Sequence, residues 1–477
     1  MSATRDFEFI LAGRPARSET TAPITCPYDD QVIARTWWAS AEDLERATQA
    51  AVEAAPAMRA LPAYRRAEIL RAVASSLRAE RDDVAWTLAG EVGKPIRDAR
   101  TEVDRAVTTF EVAAEEARRL GGEVIPMDLA PHGVGRVAIS RRFPIGPIAA
   151  ISPFNFPLNL SAHKLAPAIA AGNPIVLKPA SKTPISAVRL GRYLVQAGLP
   201  EGALSVLPLS RQHGDRMVGD DRFKLLTFTG SSAVGWDMKR RAGKKRVLLE
   251  LGGNAGVIVD ETADVDLAAA RVAAGGFALA GQSCISVQRV LVQERVFDRF
   301  ATALAERVSR LKVGHPLDPE TELGPMVDKG EVDRVDAWVR EALAAGGRVV
   351  TGGRKISDAA YAATVLTDVP ETARVCADEV FAPVVVLARF GPFEDAIAAV
   401  NRSVFGLQAG VFTNDLNRAL AAYETIETGG VVVNDVPTWR IDHMPYGGVK
   451  DSGLGREGPR YSIEEMTELK LLVINRT

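Results

Sequence analysis

Three side chains with reactive chemistry stand among small or apolar neighbours. They are Cys284 in Gly-Gln-Ser-Cys-Ile-Ser, Glu250 in Val-Leu-Leu-Glu-Leu-Gly-Gly-Asn, and Asn155 in Ser-Pro-Phe-Asn-Phe-Pro. A cysteine nucleophile must approach its substrate closely, so small flanking residues and a loop suit it. A buried structural thiol is the plain alternative. A carboxylate in an apolar run is costly unless paired or functional, and burial would raise its pKa toward the range of a general base. Asn155 can donate to a developing oxyanion together with the Cys284 amide, or be a turn residue between two prolines.

Such groups need a frame to hold them. From about residue 41 to 120 the pattern is helical, an alanine-rich amphipathic run punctuated by Pro56, Pro62 and Gly93-Lys94-Pro95. Strands are expected at 137–142, 148–151, 175–178, 204–207, 225–228, 247–249 and 257–259, with helices such as 161–171 and 184–197 between them. That alternation predicts an α/β fold of parallel sheets wrapped by helices. After Asp260 the pattern restarts with a helix near 266–280 and a strand at 286–292, and alternates on to Asn434. Lys178 then falls at a strand end, where open α/β sheets bind ligands, and can hold ribose hydroxyls or a phosphate. Gly230-Ser231 opens a helix at 232–240, a geometry suited to a pyrophosphate. Segments 134–140 and 469–474 read as isolated strands, which a neighbouring subunit would complete.

Composition bounds the rest. A chain of 477 residues holds roughly three domains at about 150 residues each. With 47% hydrophobic and 25% charged residues it is neither collagenous, coiled-coil nor largely disordered. Its 58 basic and 60 acidic residues leave a net charge of −2, which argues against a nucleic-acid partner. Cys26, Cys284 and Cys376 are odd in number and far apart, which favours a reducing compartment, the cytoplasm, over a disulfide framework. The chain reaches Arg5, Asp6 and Glu8 before any apolar run, so no signal peptide is expected. The uncharged stretch 143–162 carries Pro144, Pro147, Pro153 and Pro157, so it is core material and no membrane span. Gly133-Val-Gly-Arg-Val-Ala138 mimics a dinucleotide fingerprint, but a strand follows where a helix is needed. The basic run 239–246 reads as a solvated helix end. The histidines show no metal-ligand spacing, so no metal is expected.

Taken in order, the motifs are specific. The chain resembles the aldehyde dehydrogenase superfamily over nearly its whole length. The likeness rests on Pro153-Phe-Asn-Phe-Pro157, Leu177-Lys-Pro-Ala180, Phe228-Thr-Gly-Ser231 and Leu249-Glu-Leu-Gly-Gly253. Further on come Gly281-Gln-Ser-Cys284, Glu379-Val-Phe-Ala-Pro383 and Pro445-Tyr-Gly-Gly-Val-Lys450. Ala382 stands where the family often has Gly, and Gln408 where Ala is common. The resemblance implies two Rossmann-like parallel-sheet domains plus a small β oligomerisation element. By that reading residues 1–120 and 141–249 bind NAD(P), 250–455 form the catalytic domain, and 121–140 with 456–477 join subunits into a homodimer or homotetramer.

The resemblance also implies a mechanism. Cys284 attacks the aldehyde, Asn155 and the Cys284 amide steady the oxyanion, hydride passes to the nicotinamide, and Glu250 activates the water that hydrolyses the thioester. Lys164 and Glu457 match positions implicated in proton relay. The cofactor would lie along Ile151, Ser152, Pro153, Phe154, Lys178, Ala180, Ser181, Gly214, Gly230, Ser231, Val234, Leu251 and Gly252. Glu379 would hold the nicotinamide ribose, with Phe381 beside the ring. Many NAD-preferring relatives carry Glu at position 181; Ser181 admits a 2′-phosphate, so either NAD or NADP is expected, with a lean to NADP.

The substrate pocket implied by the resemblance draws on Phe154, Phe156, Leu160, His163, Ser283, Ile285, Arg440 and Tyr446, with Arg105 near its mouth. The segment from Arg440 to Tyr446 is similar to that of lactaldehyde, non-phosphorylating glyceraldehyde-3-phosphate and phosphonoacetaldehyde dehydrogenases. Two arginines and a histidine would seat a phosphate, phosphonate, sulfonate or carboxylate. The expected substrate is therefore a short anionic aldehyde of the phosphonoacetaldehyde, glyceraldehyde-3-phosphate or succinate-semialdehyde type. Ser283 stands where relatives gripping phosphorylated aldehydes can carry Arg, which keeps a neutral, lactaldehyde-like substrate as the alternative. For Arg105 the alternative is a helix-surface ion pair with a neighbouring acid. CoA-acylating relatives generally lack the glutamate at 250, so hydrolysis is favoured over transfer to CoA.

Overall fold

Runs of β-branched and aliphatic residues, each too short for a helix, form two large sheets in this computed structural model, which describes residues 5–476. The first sheet has five parallel central strands, in the spatial order Arg246–Glu250, Leu225–Thr229, Ile148–Ile151, Ile175–Lys178 and Leu204–Val206. Their side chains alternate between two buried faces. Ile148, Ala150, Ile175, Leu177 and Leu225 join one core with the helices Ala63–Ala79, Ile96–Arg119 and Pro157–Ala171. Ala149, Ile151, Val176, Leu226 and Phe228 join another core on the opposite face. Near-continuous apolar runs are what a parallel sheet covered on both faces demands.

The second sheet is built the same way from Thr364–Thr367, Val384–Phe390, Val287–Gln293, Ala255–Val259, Gln408–Phe412 and Gly430–Val433, all parallel, with Arg348–Thr351 antiparallel at one edge. A third, three-stranded sheet stands apart: Thr467–Asn475 pairs antiparallel with Arg136–Pro144, which pairs with Gly122–Ile125. The α/β class and the strand positions agree with the sequence reading.

Several readings need correction. The two segments taken as isolated strands complete each other within one chain, because the tail returns to lie along residues 136–144. The strand expected to end at 142 runs to Pro144, past the expected boundary at 140. Gly453–Leu454 crosses back to pair with Arg246–Glu250, and the helix Pro459–Glu465 packs on Pro157–Ala171. The helix expected over 266–280 stops at Phe277, where Leu279 and Ala280 adopt positive φ of 51° and 52°. The N-terminal strands Phe9–Leu11 and Arg14–Ala16 extend the first sheet, and Arg5–Asp6, Thr21–Thr25 and Val32–Trp37 form a small sheet of their own. None of these was expected, since short edge strands carry little periodic signal. The outermost ends of the ranges 1–120 and 456–477, at residues 1–4 and 477, lie outside the described residues, as does the start of the N-terminal segment. Among the described residues no helix is long and apolar enough to cross a membrane.

Candidate active site

The C-terminal ends of four of the first sheet's strands bring five residues into one row. In register, Lys178 faces Ile151, Ile151 faces Phe228, and Thr229 faces Glu250. This is the edge at which doubly wound sheets bind ligands. From the second sheet's side comes Cys284, on the turn between the short helix Ala278–Gly281 and the strand Val287–Gln293. The left-handed backbone at Leu279 and Ala280, rare for residues with a Cβ, turns the chain sharply here. Gln282 fixes the turn: its amide donates to the Leu279 carbonyl at 3.1 Å and its side-chain oxygen accepts from Val327 N at 3.0 Å. A Cβ on Gly253 would collide with the Cys284 carbonyl, so the glycine after Gly252 lets the two sheets' loops meet.

Three cavities run in a line across this edge. One, lined by Lys178, Gly214, Val234, Arg211 and Arg241, is the outer cleft. It adjoins an apolar pocket with Phe154, Gly230, Leu251, Gly252, Glu379 and Phe381 on its walls. Beyond lies a cavity of about 220 Å³ lined by Arg105, Phe156, Ser283, Ile285, Arg440 and Tyr446. The last two share Asn155, Leu160, Thr229, Glu250 and Cys284, so the thiol, the carboxyl and the amide stand where a hydride acceptor and a substrate would meet.

The residues present fit a dinucleotide. Gly230-Ser231 precede the helix Ser232–Arg241, which aims amide N–H groups at the cleft. Gly214 carries no Cβ because Lys178 lies against it. Glu379 accepts from Gly253 N at 2.8 Å, and burial raises its pKa to about 7. Phe381 meets Phe154 edge-on, 5.9 Å between centroids. Burial lowers Lys178 to about 8. Of the expected cofactor residues, Ser152, Pro153 and Ala180 also lie along the pocket or its wall. Ser181 does not: it is exposed in a separate shallow cleft with Lys182 and Asp328, because the turn after Ala180 carries it outward. Arg211, unremarked in the sequence, lines the outer cleft instead.

Behind the small cavity is a buried cluster of charges. Lys164 donates to Thr227 and Thr229 hydroxyls at 3.0 and 2.8 Å and pairs with Glu457 at 3.3 Å. Arg440 reaches Glu457 at 3.6 Å and stacks on the Tyr446 ring at 3.6 Å. Asp442 is the hub: it accepts from Arg105 at 2.8 and 3.1 Å, from Asn159 at 2.9 Å, and bonds His163 at 2.9 Å. Burial pushes the Asp442 carboxyl up, but His163 and Arg105 outweigh it and hold it far below the usual range. Glu457 is pushed up by burial and held down, on balance, by Lys164, His163 and Arg440. Glu250 has no such partner at Oε2; burial first, then Glu457, raises it well above an ordinary carboxyl. Burial likewise raises the Cys284 thiol to about 12.

His163 therefore departs from its expected place. It is buried behind the cavity, off its lining, and burial together with Arg440 lowers its pKa. Phe154 belongs to the apolar pocket and not to the small cavity. Arg105 does form an ion pair, but with Asp442, hundreds of residues away, and not with a helix neighbour. Asp442 went unnoticed because nothing in Arg-Ile-Asp-His marks its acid as the partner of a distant helix. One unexpected cluster brings Cys26, Asp29 and His315 within 4.8 Å. There the Leu317 amide donates to His315 Nδ1 at 3.2 Å, so Nε2 keeps its hydrogen toward Asp29 and is no ligand.

The chain matches the aldehyde dehydrogenase family over residues 14–472. It is 44% identical to 3-sulfolactaldehyde dehydrogenase of Priestia aryabhattai, over 96% of each chain. Among solved structures it is similar to aldehyde dehydrogenase 21 from Physcomitrella patens in complex with the reaction product succinate, with TM-score 0.97 and 46% identity over 99% of both chains. It is also similar to glyceraldehyde-3-phosphate dehydrogenase GapN from Methanocaldococcus jannaschii complexed with NADP, with TM-score 0.91 and 38% identity over 95% of this chain and 99% of that one.

What aims Asn155 was also unexpected. Its side-chain amide donates one hydrogen to the Gln282 carbonyl at 3.0 Å, leaving the other free beside Cys284. Its backbone carbonyl accepts from Lys94 Nζ at 2.8 Å. Lys94 pairs with Glu102, both only 1% exposed, and Glu102 accepts from Leu158 and Asn159 amides at the start of the following helix. Removing one partner of a buried pair leaves a bare charge, a loss of about 3–5 kcal/mol. Glu102→Ala is expected to lower stability by about that amount in urea denaturation; a loss under about 1 kcal/mol, the scale of a surface pair, contradicts the frame.

Proposed function

The chain belongs to the aldehyde dehydrogenase family, and from that premise we propose that its substrate is a short aldehyde bearing an anionic group. It is an oxidoreductase that oxidises aldehydes with NAD(P). The observation that carries the substrate reading is the pair Arg105 and Arg440, both lining the cavity of about 220 Å³ that ends at Cys284. That volume is below the roughly 300–1,000 Å³ of drug-sized sites, which supports a short substrate. The relatives' names point the same way: sulfolactaldehyde, succinate and glyceraldehyde 3-phosphate each carry an acidic group. A neutral, lactaldehyde-like substrate is favoured by relatives named lactaldehyde dehydrogenase, by Ser283 before the cysteine, and by Asp442, which already takes two donors of Arg105.

In the reading we adopt, Cys284 adds to the carbonyl carbon as a thiolate. The free hydrogen of Asn155 Nδ2 and the Cys284 amide take the charge on oxygen. A bound NAD(P), held by Lys178, the Gly230-Ser231 turn and Glu379, supplies the hydride acceptor. The resulting Cys284 thioester is hydrolysed by water that Glu250 deprotonates; its raised pKa suits it to that proton. Lys164 and Glu457 lie next along the buried path by which the proton can leave. The product is the carboxylic acid, and a carboxyl at 250 favours water over CoA as the acyl acceptor.

Cofactor preference and assembly are also open to test. Ser181 lies away from the outer cleft, so the lean to NADP now rests on Arg211 beside Lys178. The outer strand Thr467–Asn475 exposes Leu469, Leu471 and Leu472 at 61%, 54% and 56%. An apolar strand edge of this kind favours burial against a second copy in a homodimer or homotetramer. The three cysteines are free, in keeping with the cytoplasm.

Three outcomes are expected. In a panel of short aldehydes, Arg440→Ala and Arg105→Ala should each cut kcat/KM for sulfonated, phosphorylated or carboxylated substrates by about 10- to 100-fold relative to lactaldehyde; an unchanged preference sinks the anionic seat. Arg211→Ala should lower kcat/KM with NADP about tenfold while NAD changes little; equal losses with both would remove Arg211 from phosphate binding. Leu471→Glu should shift sedimentation to a smaller species, and an unaltered profile rules out this sheet as the interface.

A further inference from the structure

Among the described residues, the hydrogen-bond partner of Cys284 Sγ is Tyr446 Oη, at 3.2 Å. The sequence reading had Tyr446 as pocket lining only. Burial, and then the proximity of Cys284, raise its phenol well above the ordinary range, so it keeps its proton through neutral pH. Once the sulfur is a thiolate, the hydroxyl is the donor and the sulfur the acceptor. The ring is tightly held. It packs with Ile285 and Leu407, and its backbone bridges Glu457 through bonds of 3.0 and 2.6 Å. Arg440 sits flat on one face, Cζ 3.6 Å from the centroid. A cation there draws electron density from the ring and strengthens the phenol as a donor.

We propose that Tyr446 is itself a catalytic residue, whose hydroxyl donates to the Cys284 sulfur, favours its thiolate form and holds Sγ at the junction of the two pockets. The inference rests on Cys284 being the nucleophile. The thiol's proton leaves to solvent, and Tyr446 shares its own proton without giving it up. On attack a sulfur electron pair forms the S–C bond while the carbonyl π pair moves to oxygen. Negative charge thus passes from the atom that Tyr446 serves to the atom that Asn155 serves. Such a donor is needed because the site opposes the thiolate in other ways. Burial disfavours it most, and Glu379, from the loop before Val384–Phe390, and Glu250, at its strand end, repel it. Arg440 and Tyr446, from the segment that leads to Gly453, are the groups that favour it.

The test is the pH dependence of Cys284 alkylation by iodoacetamide in the full chain without cofactor, read by peptide mass spectrometry across roughly pH 6 to 10. Tyr446→Phe is expected to slow alkylation about tenfold at each pH of that range, displacing the rise of rate with pH upward by about one unit, the size of one charge-assisted hydrogen bond. Arg440→Gln, which keeps the hydroxyl and removes the cation from its ring, is expected to displace that rise in the same direction by less. Near-UV circular dichroism and unchanged NADP binding identify variants that have folded. An unchanged or faster profile in folded Tyr446→Phe overturns the proposal. Cys284→Ala separates this from the parent reading: if aldehyde oxidation survives in it, Cys284 is not the nucleophile, whatever the Tyr446→Phe profile shows.

Discussion

Buried charge must be compensated where it lies, and most of this site follows from how Asp442 meets that demand. Its carboxylate takes the forked end of Arg105, the imidazole of His163 and the amide of Asn159, and stands 4.0 Å from Arg440. Arg105 comes from the helix Ile96–Arg119, His163 and Asn159 from successive turns of the helix Pro157–Ala171, and Arg440 from a loop near the chain's end. Taking several ions out of water is affordable only where every charge has a close partner. The cluster therefore fixes the helix bearing Arg105 and the loop bearing Arg440 relative to the helix Pro157–Ala171, which starts just after Asn155.

The same rule explains the contrast between the two glutamates. Glu457 has Lys164 and Arg440 for company and stays ionised, whereas Glu250, which forms no ion pair among the described residues, is forced toward its neutral form. Two like groups side by side in low dielectric have their pKa values pushed apart, which leaves Glu457 as the anion beside Lys164 and suits Glu250 to take up a proton. The Lys94–Glu102 pair repeats the pattern on the other wall, and there it caps a helix and anchors the Asn155 carbonyl. Precision at the reacting atoms thus rests on buried ion pairs in the walls of the cavity.

Much of the fold was legible because parallel strands covered on both faces must be short continuous apolar runs; 148–151, 175–178 and 225–228 each fell where expected, within a residue. What escaped was short or paired at long range. Phe9–Leu11 and Gly453–Leu454 are strands of three and two residues, below the length at which alternation carries a signal. The partnership of the tail with residues 136–144 joins two segments remote in sequence, and no local pattern encodes it. In the site, Cys284, Glu250 and Asn155 were legible from the oddity of reactive groups among glycines and aliphatics. Lys94, Gln282, Arg211 and Asp442 were not, since each acts through a partner remote in sequence.

By itself, then, the sequence determined the α/β class, the reactive trio, and through its ordered motifs the family, because these depend on local periodicity and on residue types at short spacing. The tertiary structure decided which charges meet. It set His163 in the layer behind the pocket wall, exposed Ser181 in a separate cleft, and brought Arg211 into the cleft that Lys178 lines. It also set Tyr446 on the sulfur of Cys284. Distances between elements come from packing two sheets against each other, and a linear pattern does not contain them.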